Sequence, residues 1–258
     1  MNTQVAVVTG GASGMGKVYA LRMANAGVKV AVLDKGNAAL EDIAAQSANI
    51  YTFNCDVADT VSVTDTIEAI TAQLGPIDRL VHCAAIMPAG PLPSQLIESI
   101  HLLMAVNYGG TVNMVRAVLG DMQERKTGEI VLFGSLGGYV PVPDCGAYCA
   151  TKAAVNSFAE ILMEENRGSG VHIMLVCPPL VNTPLLDQAM ASANPKMVAD
   201  SIAKKRYSSP AAIIDAVEEG LRRKKDILFP SAAAKIMAWL RRFSPRLVWK
   251  IIHLANKS

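Results

Sequence analysis

The sequence lacks the features that mark a disulfide-rich, metal-binding or membrane-spanning protein. Its five cysteines form no Cys-x-x-Cys pair and show no metal-ligand spacing with histidine, and an odd count in 258 residues is typical of reduced cytoplasmic thiols. The first residues enter a strand pattern without a basic and apolar leader, so we expect no signal peptide. No stretch of about 20 apolar residues is free of charge, which argues against a spanning helix. These absences predict a cytoplasmic protein without a metal site.

Acidic side chains are missing from one end of the chain. The formal net charge is +2, but residues 227–258 contain six basic side chains and no acidic one. Residues 1–226 then hold 18 basic and 22 acidic side chains, a formal charge of −4. The positive charge is not organised on a recognised nucleic-acid-binding fold, so we do not expect a nucleic-acid partner. The basic residues of this end are Lys235, Arg241, Arg242, Arg246, Lys250 and Lys257.

Apolar runs and helical patterns alternate along the chain, and half of all residues, 51%, are hydrophobic. Near-continuous apolar strands separated by helices predict an α/β fold, a Rossmann-type doubly wound parallel sheet of about seven strands with helices on both faces. Without repeats or a low-complexity linker, we expect one catalytic domain over residues 1–230. Helical patterns include Gly16–Ala26, Val61–Leu74 and Ala147–Glu165. The predicted strands are Val5–Val8, Lys29–Leu33, Ile50–Phe53, Arg79–His82, Glu129–Phe133, His172–Val176 and Asp226–Phe229.

Residues 184–207 depart from this alternation. They are rich in Met and Ala, contain no strand pattern and follow a predicted sheet edge. One interpretation is a mobile flap over a site, and the alternative is an ordinary pair of surface helices.

Residues 231–258 form a basic amphipathic tail. Ser244 followed by Pro245 is typical of a helix start, so the tail is predicted to form two short helices. The basic residues, with Trp239 and Trp249, suit the interface of an anionic membrane, whereas packing on its own or a neighbouring subunit is the alternative. The two apolar stripes are Ile236, Met237, Trp239, Leu240 and Phe243, and Leu247, Val248, Ile251, Ile252 and Ala255.

A glycine-rich turn follows the first predicted strand. Residues 9–16 read Thr-Gly-Gly-Ala-Ser-Gly-Met-Gly and a helix pattern comes next. Glycines permit a tight turn and a close backbone approach to a pyrophosphate, and the helix N-terminus offers free N–H groups to the phosphates. This context predicts a nucleotide site formed by Gly10, Ser13, Gly14, Met15 and Gly16.

Two carboxylates follow the next strands. Asp34 ends the second strand, 18 residues after Gly16, where a carboxylate accepts hydrogen bonds from ribose hydroxyls and repels a 2′-phosphate. It therefore favours NAD over NADP, although the neighbouring Lys35 could offset part of the repulsion. Asp56 and Val57 follow the third strand and could cap the adenine edge, with a plain turn as the alternative for Asp56.

A Tyr-x-x-x-Lys pair supplies the parts for proton transfer. Tyr148 and Lys152 are about one helical turn apart, and Ser135 lies thirteen residues upstream. A nearby ammonium favours the phenolate and would lower the pKa of Tyr148. The Ser135 hydroxyl could hold the same substrate oxygen.

Together these residues resemble the short-chain dehydrogenase/reductase family, over about residues 3–230. The resemblance implies a nicotinamide-dependent enzyme acting on CH–OH groups, in which Tyr148 is the general acid or base. Asn107, in Val-Asn-Tyr-Gly-Gly, matches the asparagine that kinks a helix and holds a water in the proton relay. The implied catalytic residues are therefore Asn107, Ser135, Tyr148 and Lys152, of which Asn107, Tyr148 and Lys152 also face the cofactor.

The resemblance also assigns further cofactor contacts and shows two departures. Thr183, with Pro178 and Val181 before it, matches the segment beside the nicotinamide. The usual Pro-Gly is here Pro178-Pro179, so the backbone must differ slightly. The family's Asn-Asn-Ala-Gly is here His-Cys-Ala-Ala at residues 82–85, in which Cys83 and Ala84 would support the adenosine side through backbone. Loss of the asparagine is expected to loosen the central sheet.

Few polar residues follow Thr183, so Leu185 and Leu186 are expected to bind an apolar substrate beside Ser135 and Tyr148. The leading hypothesis is an NAD-dependent enzyme for a steroid-like, terpenoid or long-chain secondary alcohol or ketone. The alternatives are an NADPH-dependent lipid-ketone reductase on membranes and a non-catalytic nucleotide sensor. The resemblance further implies a homo-tetramer or homo-dimer packed through the helices that carry Asn107 and Tyr148.

Overall fold

The computed structural model describes residues 4–257, with the side chains of residues 4–254, so the side chains of Ala255 and Lys257 lie outside the described residues. Seven strands form one sheet in the order β3-β2-β1-β4-β5-β6-β7, and all neighbours are parallel. This confirms the predicted fold, and every predicted strand end lies within one residue of the observed end. The strands are β1 (Val5–Thr9), β2 (Lys29–Asp34), β3 (Ile50–Asn54), β4 (Arg79–His82), β5 (Gly128–Phe133), β6 (Val171–Val176) and β7 (Ile227–Leu228).

Helices cover both faces of the sheet because the strands are apolar on both sides. In β1, Val5 and Val7 belong to one buried cluster with α3, α5 and α6, while Ala6 and Val8 belong to another with α1 and α9. The helices are α1 (Gly14–Asn25), α2 (Asn37–Ala44), α3 (Thr60–Leu74), α4 (Ile97–Met104), α5 (Gly110–Glu124), α6 (Gly146–Glu165), α7 (Pro184–Ala193), α8 (Lys196–Ala203), α9 (Pro210–Arg222), α10 (Ala232–Phe243) and α11 (Pro245–Lys257).

The direction of the strands brings the predicted site residues to one edge of the sheet. From β1 the chain moves outward to β2 and β3, then returns to β4 on the other side of β1. The strand order reverses there, and the carboxyl ends of β1 and β4 flank a crevice, the usual place for a ligand in such sheets. The glycine turn follows β1, and Asp34 ends β2 at the same edge.

The segment predicted as a flap forms α7 and α8, which pack on the rest of the protein. Leu186, Ala189 and Val198 are buried, and the Gln188 and Ser192 side chains accept hydrogen bonds from the loop after β4, at Met87 N (3.0 Å) and Ala89 N (2.7 Å). Motion of this segment stays a prediction.

The tail forms α10 and α11, with Pro245 as the first residue of α11. Its inner side chains, Val248 and Ile252, are buried against Val140, together with Met237 and Leu240. The tail thus packs on its own chain, whereas the division of the chain at residue 230 stays a prediction. Within residues 4–257, no helix is both long and apolar enough to cross a membrane.

Candidate active site

The glycine turn lines a cleft, and side chains at Gly10 or Gly16 would collide with neighbouring backbone atoms. Gly10 and Gly14 have φ of +60° and +51°, and a Cβ on Gly10 would lie 2.9 Å from the backbone of Ala84. A Cβ on Gly16 would lie 2.3 Å from the Gly10 oxygen. Ser13 is the N-cap of α1, yet its side chain caps no N–H group, so the helix N-terminus is left for a ligand. These features fit a dinucleotide pyrophosphate.

Asp34 lines this cleft, which has a volume of about 340 Å³. Its carboxylate accepts hydrogen bonds from the backbone N–H groups of Ala12 (3.1 Å) and Lys35 (2.8 Å), which fix its position. The Lys35 ammonium is 2.5 Å from Asp56, and this hydrogen bond lowers the pKa of Asp56 below its usual value. Asp56 is therefore an ion-pair partner as well as a turn residue, and the charge of Lys35 is compensated there.

A second cavity of about 320 Å³ meets the cleft. The two share lining residues such as Met15, Thr183 and Leu185, so they form one continuous site. Among the described residues that line the second cavity, five side chains carry nitrogen or oxygen: Ser135, Tyr148, Lys152, Thr183 and Ser201. The other lining side chains are apolar or thiols, and Leu185 and Leu186 are among them.

Ser135 and Tyr148 both line the second cavity. Ser135 follows β5 and Tyr148 lies in the first turn of α6, and the Ser135 hydroxyl is close enough to Tyr148 to oppose part of the pKa increase that burial causes. The Ser135 Oγ also accepts a hydrogen bond from Gly137 N at 2.9 Å. Both hydroxyl groups can therefore reach one substrate oxygen.

Lys152 lies one turn further along α6 and is buried. Its Nζ donates a hydrogen bond to the Phe133 carbonyl (2.8 Å) and lies 5.9 Å from the centre of the Tyr148 ring. Burial lowers the pKa of Lys152 from 10.5 to about 8. Burial also raises the pKa of Tyr148, and the thiols of Cys149 and Cys145 act in the same direction. The expected lowering of the tyrosine pKa by Lys152 is wrong, because desolvation of the phenol dominates.

Asn107 lies in a π-helical segment, residues 105–109, between α4 and α5, which is the predicted helix irregularity. It is fully buried and lines neither cavity. Its Oδ1 accepts a hydrogen bond from Ile86 N (2.9 Å), and its Nδ2 donates to Ile86 O (3.0 Å) and Thr151 Oγ1 (3.0 Å). Thr151 in turn donates to the Tyr148 carbonyl (2.8 Å). Asn107 thus connects the loop after β4 to α6, and its part in a proton relay stays a prediction.

Asn156 holds Ser135 in place, and the sequence analysis did not identify it. Its Nδ2 donates to Ser135 O (3.1 Å), and its Oδ1 accepts from Ser135 N (3.4 Å). Gly134 and Gly138 leave room for it, since a Cβ at either would lie within 2.4 Å of its amide. The only available signal was its spacing, because residues 148, 152 and 156 share one face of α6.

The two departures from the family pattern have local structural explanations. His82 Nδ1 is 2.8 Å from Thr9 Oγ1, and both side chains are buried between β1 and β4. Burial lowers the pKa of His82 to about 3, so the imidazole is neutral. His82 thus supplies a cross-strand hydrogen bond, and the loosening of the sheet stays a prediction. At the second departure, the Pro178 carbonyl accepts a hydrogen bond from Leu136 N (2.9 Å).

Apart from Asn107, which lines neither, the structure divides the predicted cofactor residues between the two cavities. Most line the cleft: Gly10, Ser13, Gly14, Met15, Gly16, Asp34, Asp56, Val57, Cys83, Ala84 and Thr183. The second cavity is lined by Tyr148, Lys152, Pro178 and Val181. The cleft also includes Lys35, Ile86 and Leu102. No sequence motif predicted Ile86 or Leu102 as part of the site.

Comparison with known protein families gives one match over most of the chain. A family model described as short chain dehydrogenase matches residues 4–194. The "Inactive 2-(S)-hydroxypropyl-CoM dehydrogenase 2" of Xanthobacter autotrophicus is 35% identical over 197 residues, which are 74% of this chain and 86% of that protein. The "Dehydrogenase/reductase SDR family member 7B" of Rattus norvegicus is 29% identical, over 98% of this chain and 81% of that protein.

Solved structures share the fold. A short chain dehydrogenase/reductase from Burkholderia phymatum in complex with NAD has a TM-score of 0.84 and 24% identity, over 95% of each chain. A short-chain dehydrogenase from Streptomyces avermitilis has the same TM-score and identity, over 99% of this chain and 98% of that one.

Proposed function

Because the chain belongs to the short-chain dehydrogenase/reductase family, whose members act on CH–OH groups, we propose that it interconverts an apolar secondary alcohol and its ketone with NAD(H). The observation that carries this proposal is the placement of Ser135 and Tyr148 side by side in an apolar cavity that adjoins the glycine-lined cleft. A bound nicotinamide supplies or accepts the hydride, and the protein residues position the substrate and move the proton.

Tyr148 exchanges the proton in the proposed mechanism. Its raised pKa keeps the phenol protonated at neutral pH, so it can donate its proton to a ketone oxygen during reduction. Ser135 orients that oxygen. In the oxidative direction the phenolate must form, and a protonated Lys152 on the same helix face would stabilise it.

NAD is the favoured cofactor because of Asp34. The carboxylate is held by backbone N–H groups in the lining of the cleft, where it can accept hydrogen bonds from ribose hydroxyls and repel a 2′-phosphate. Lys35 forms an ion pair with Asp56, so its charge is compensated there and does little to offset the repulsion of a 2′-phosphate by Asp34. Dissociation constants measured by cofactor fluorescence should be at least about tenfold lower for NADH than for NADPH. Tighter binding of NADPH would favour the lipid-ketone reductase instead.

An apolar substrate fits the second cavity, whose lining is apolar apart from five polar side chains and its thiols. We propose a steroid-like, terpenoid or long-chain compound. A rate assay with matched apolar and polar secondary alcohols and ketones tests this, and higher kcat/KM for the polar compounds would contradict it.

The first test compares the wild type with Tyr148→Phe in the same assay. The variant should lose turnover by at least about a hundredfold while NADH binding is unchanged, because only the exchangeable proton is removed. Tyr51→Phe, on β3 at the sheet edge, is the matched control and should keep wild-type turnover. Near-normal turnover of Tyr148→Phe would refute the catalytic assignment, and tight NADH binding without any turnover would favour a sensor.

A homo-dimer or homo-tetramer is proposed through the helices that carry Asn107 and Tyr148. Exposed apolar side chains support it, including Met104 at the end of α4, next to the segment that carries Asn107, and Ile161 on α6. Light scattering during gel filtration would show a monomer if this is wrong.

A further inference from the structure

The tail has more apolar surface than its packing on the protein uses. On α10, Ile236, Trp239 and Phe243 share one face by their spacing and are 65%, 67% and 65% exposed. The rings of Trp239 and Phe243 are in contact, with centroids 4.5 Å apart. The apolar side chains that pack inward, Met237 and Leu240, lie on another side of the helix. The outward row therefore serves no purpose in holding α10 on its own chain.

A second outward row lies on α11. Leu247, Ile251 and Leu254 are 44%, 39% and 69% exposed and follow one another at helical spacing. On the same helix, Val248 and Ile252 are almost fully buried. Each tail helix thus has one apolar row toward the protein and one toward solvent.

Basic side chains accompany both outward rows. Lys235 and Arg242 on α10 and Arg246 and Lys250 on α11 are exposed, and none forms an ion pair within residues 4–254. No acidic residue occurs between residues 227 and 258. A second copy of this tail would bring the same positive charge and be repelled. A surface with apolar rows, an exposed tryptophan and cations matches an anionic lipid bilayer.

The outward row of α11 continues into the substrate cavity. Ile251 belongs to the exposed row and also lines the cavity, together with Ile252 and with Met237 of α10. The same two helices therefore form a wall of the cavity and present apolar surface to the outside. The family model ends at residue 194, so this wall lies outside the matched region.

We propose that α10 and α11 dock the protein on an anionic membrane and that apolar substrate enters the cavity from the bilayer beside Ile251. The docking part stands on the exposed rows and charges alone. The entry part rests on the proposed function, because it requires an apolar substrate.

Vesicle sedimentation tests docking without any activity measurement. The wild type should bind vesicles of phosphatidylcholine with phosphatidylglycerol and bind pure phosphatidylcholine weakly. Trp239→Ser with Phe243→Ser should weaken binding by about tenfold or more, since it removes two large apolar contacts. Leu96→Ser with Ile97→Ser is the matched control, because these residues are 72% and 61% exposed on another surface, and it should bind as the wild type.

The charge contribution is tested with Arg242→Gln and Arg246→Gln together. Binding to the anionic vesicles should fall by about thirtyfold, and Lys29→Gln with Lys204→Gln should leave it unchanged. Equal binding of wild type and variants, or no binding to anionic vesicles, would overturn the docking proposal. If the Trp239–Phe243 variant instead lowers the oligomeric mass in light scattering, the face contacts a second copy and the proposal is also overturned.

Substrate entry is tested with the same Trp239–Phe243 variant, whose altered residues do not line the cavity. Turnover of a water-soluble secondary alcohol should be unchanged, while turnover of an apolar substrate supplied in anionic vesicles should fall by about tenfold or more. An equal rate with vesicle-bound substrate would refute entry from the bilayer. If no alcohol or ketone is turned over at all, the proposed function fails, and vesicle binding still decides docking.

Discussion

Among single side chains, Asn156 illustrates how a residue outside the reacting groups can control them. It makes two hydrogen bonds with the Ser135 backbone. Asn156→Ala should lower kcat by about tenfold or more because Ser135 loses its fixed position, with NADH affinity unchanged. Asn166→Ala is the matched control, since Asn166 is buried at the end of the same helix and donates to Val171 O (2.9 Å).

Both asparagine variants should lose about 1–3 kcal/mol of unfolding free energy, as each removes hydrogen bonds between a buried asparagine and the backbone. Only Asn156→Ala should lose kcat. If both variants had the same kcat, Asn156 would have only a structural role. Rate assays beside urea denaturation measure the two effects separately.

The buried ammonium of Lys152 makes the stability of the protein depend on pH. In the folded chain its pKa is about 8 instead of 10.5, so between these values the unfolded chain binds more protons. The folded state is therefore penalised below about pH 8 and gains stability as pH rises toward about 10.5. Relative to Lys152→Met, the wild type should gain up to about 3 kcal/mol over this range.

Urea denaturation of both proteins at about pH 7 and about pH 9.5 measures this gain, because the other titrating groups are common to both and largely cancel. A stability difference that is the same at both pH values would show that burial does not lower the pKa of Lys152 in the folded protein.

At the scale of elements, the turn from β1 into α1 depends on the absence of one side chain. In Gly16→Ala the new Cβ would lie 2.3 Å from the Gly10 carbonyl oxygen, so the turn must open. The variant should lose at least about 1–3 kcal/mol of stability and bind NADH more weakly. Gly120→Ala, in an exposed turn of α5 with no atom within 4 Å, should gain about 0.4–1 kcal/mol. Wild-type NADH affinity in Gly16→Ala would contradict the tight turn.

The sequence predicted the secondary-structure elements more accurately than the side-chain contacts. All seven strands follow from buried β-branched runs such as Val5–Val8, because a strand covered on both faces has a distinct pattern. Ser135, Tyr148 and Lys152 come together because the carboxyl end of β5 lies beside the start of α6. Asn156 was missed because it binds backbone atoms, for which no motif exists. The pKa of Tyr148 was predicted in the wrong direction because burial was not known.

The tail shows a second limit of prediction from sequence. Each tail helix has apolar residues around most of its circumference, so periodicity could not tell that Val248 faces the protein and Leu247 faces solvent. The apolar stripe predicted for α10 is divided in the same way. Met237 packs against the rest of the protein, and Trp239 is exposed to solvent. Packing partners far away in sequence, such as Val140, decide the orientation.

For the whole molecule, the buried row of α11 makes the tail part of one folding unit. Val248 is fully buried against Val140, so Val248→Ser should lower the free energy of unfolding by about 1–3 kcal/mol. Leu254→Ser, at 69% exposure, should change it by less than about 0.5 kcal/mol. A single urea transition is expected for both, and equal stability of the two variants would show that the tail is not part of the unit.

The position of the cavity wall in the chain has a consequence for synthesis of the protein on the ribosome. All residues that line the dinucleotide cleft, up to Gln188, are translated before Met237, Ile251 and Ile252 of the cavity wall. Because folding begins from the N-terminus during translation, the nascent chain can complete the cleft while the substrate cavity still lacks one side. A nucleotide can therefore bind and stabilise the emerging chain before any substrate can be enclosed.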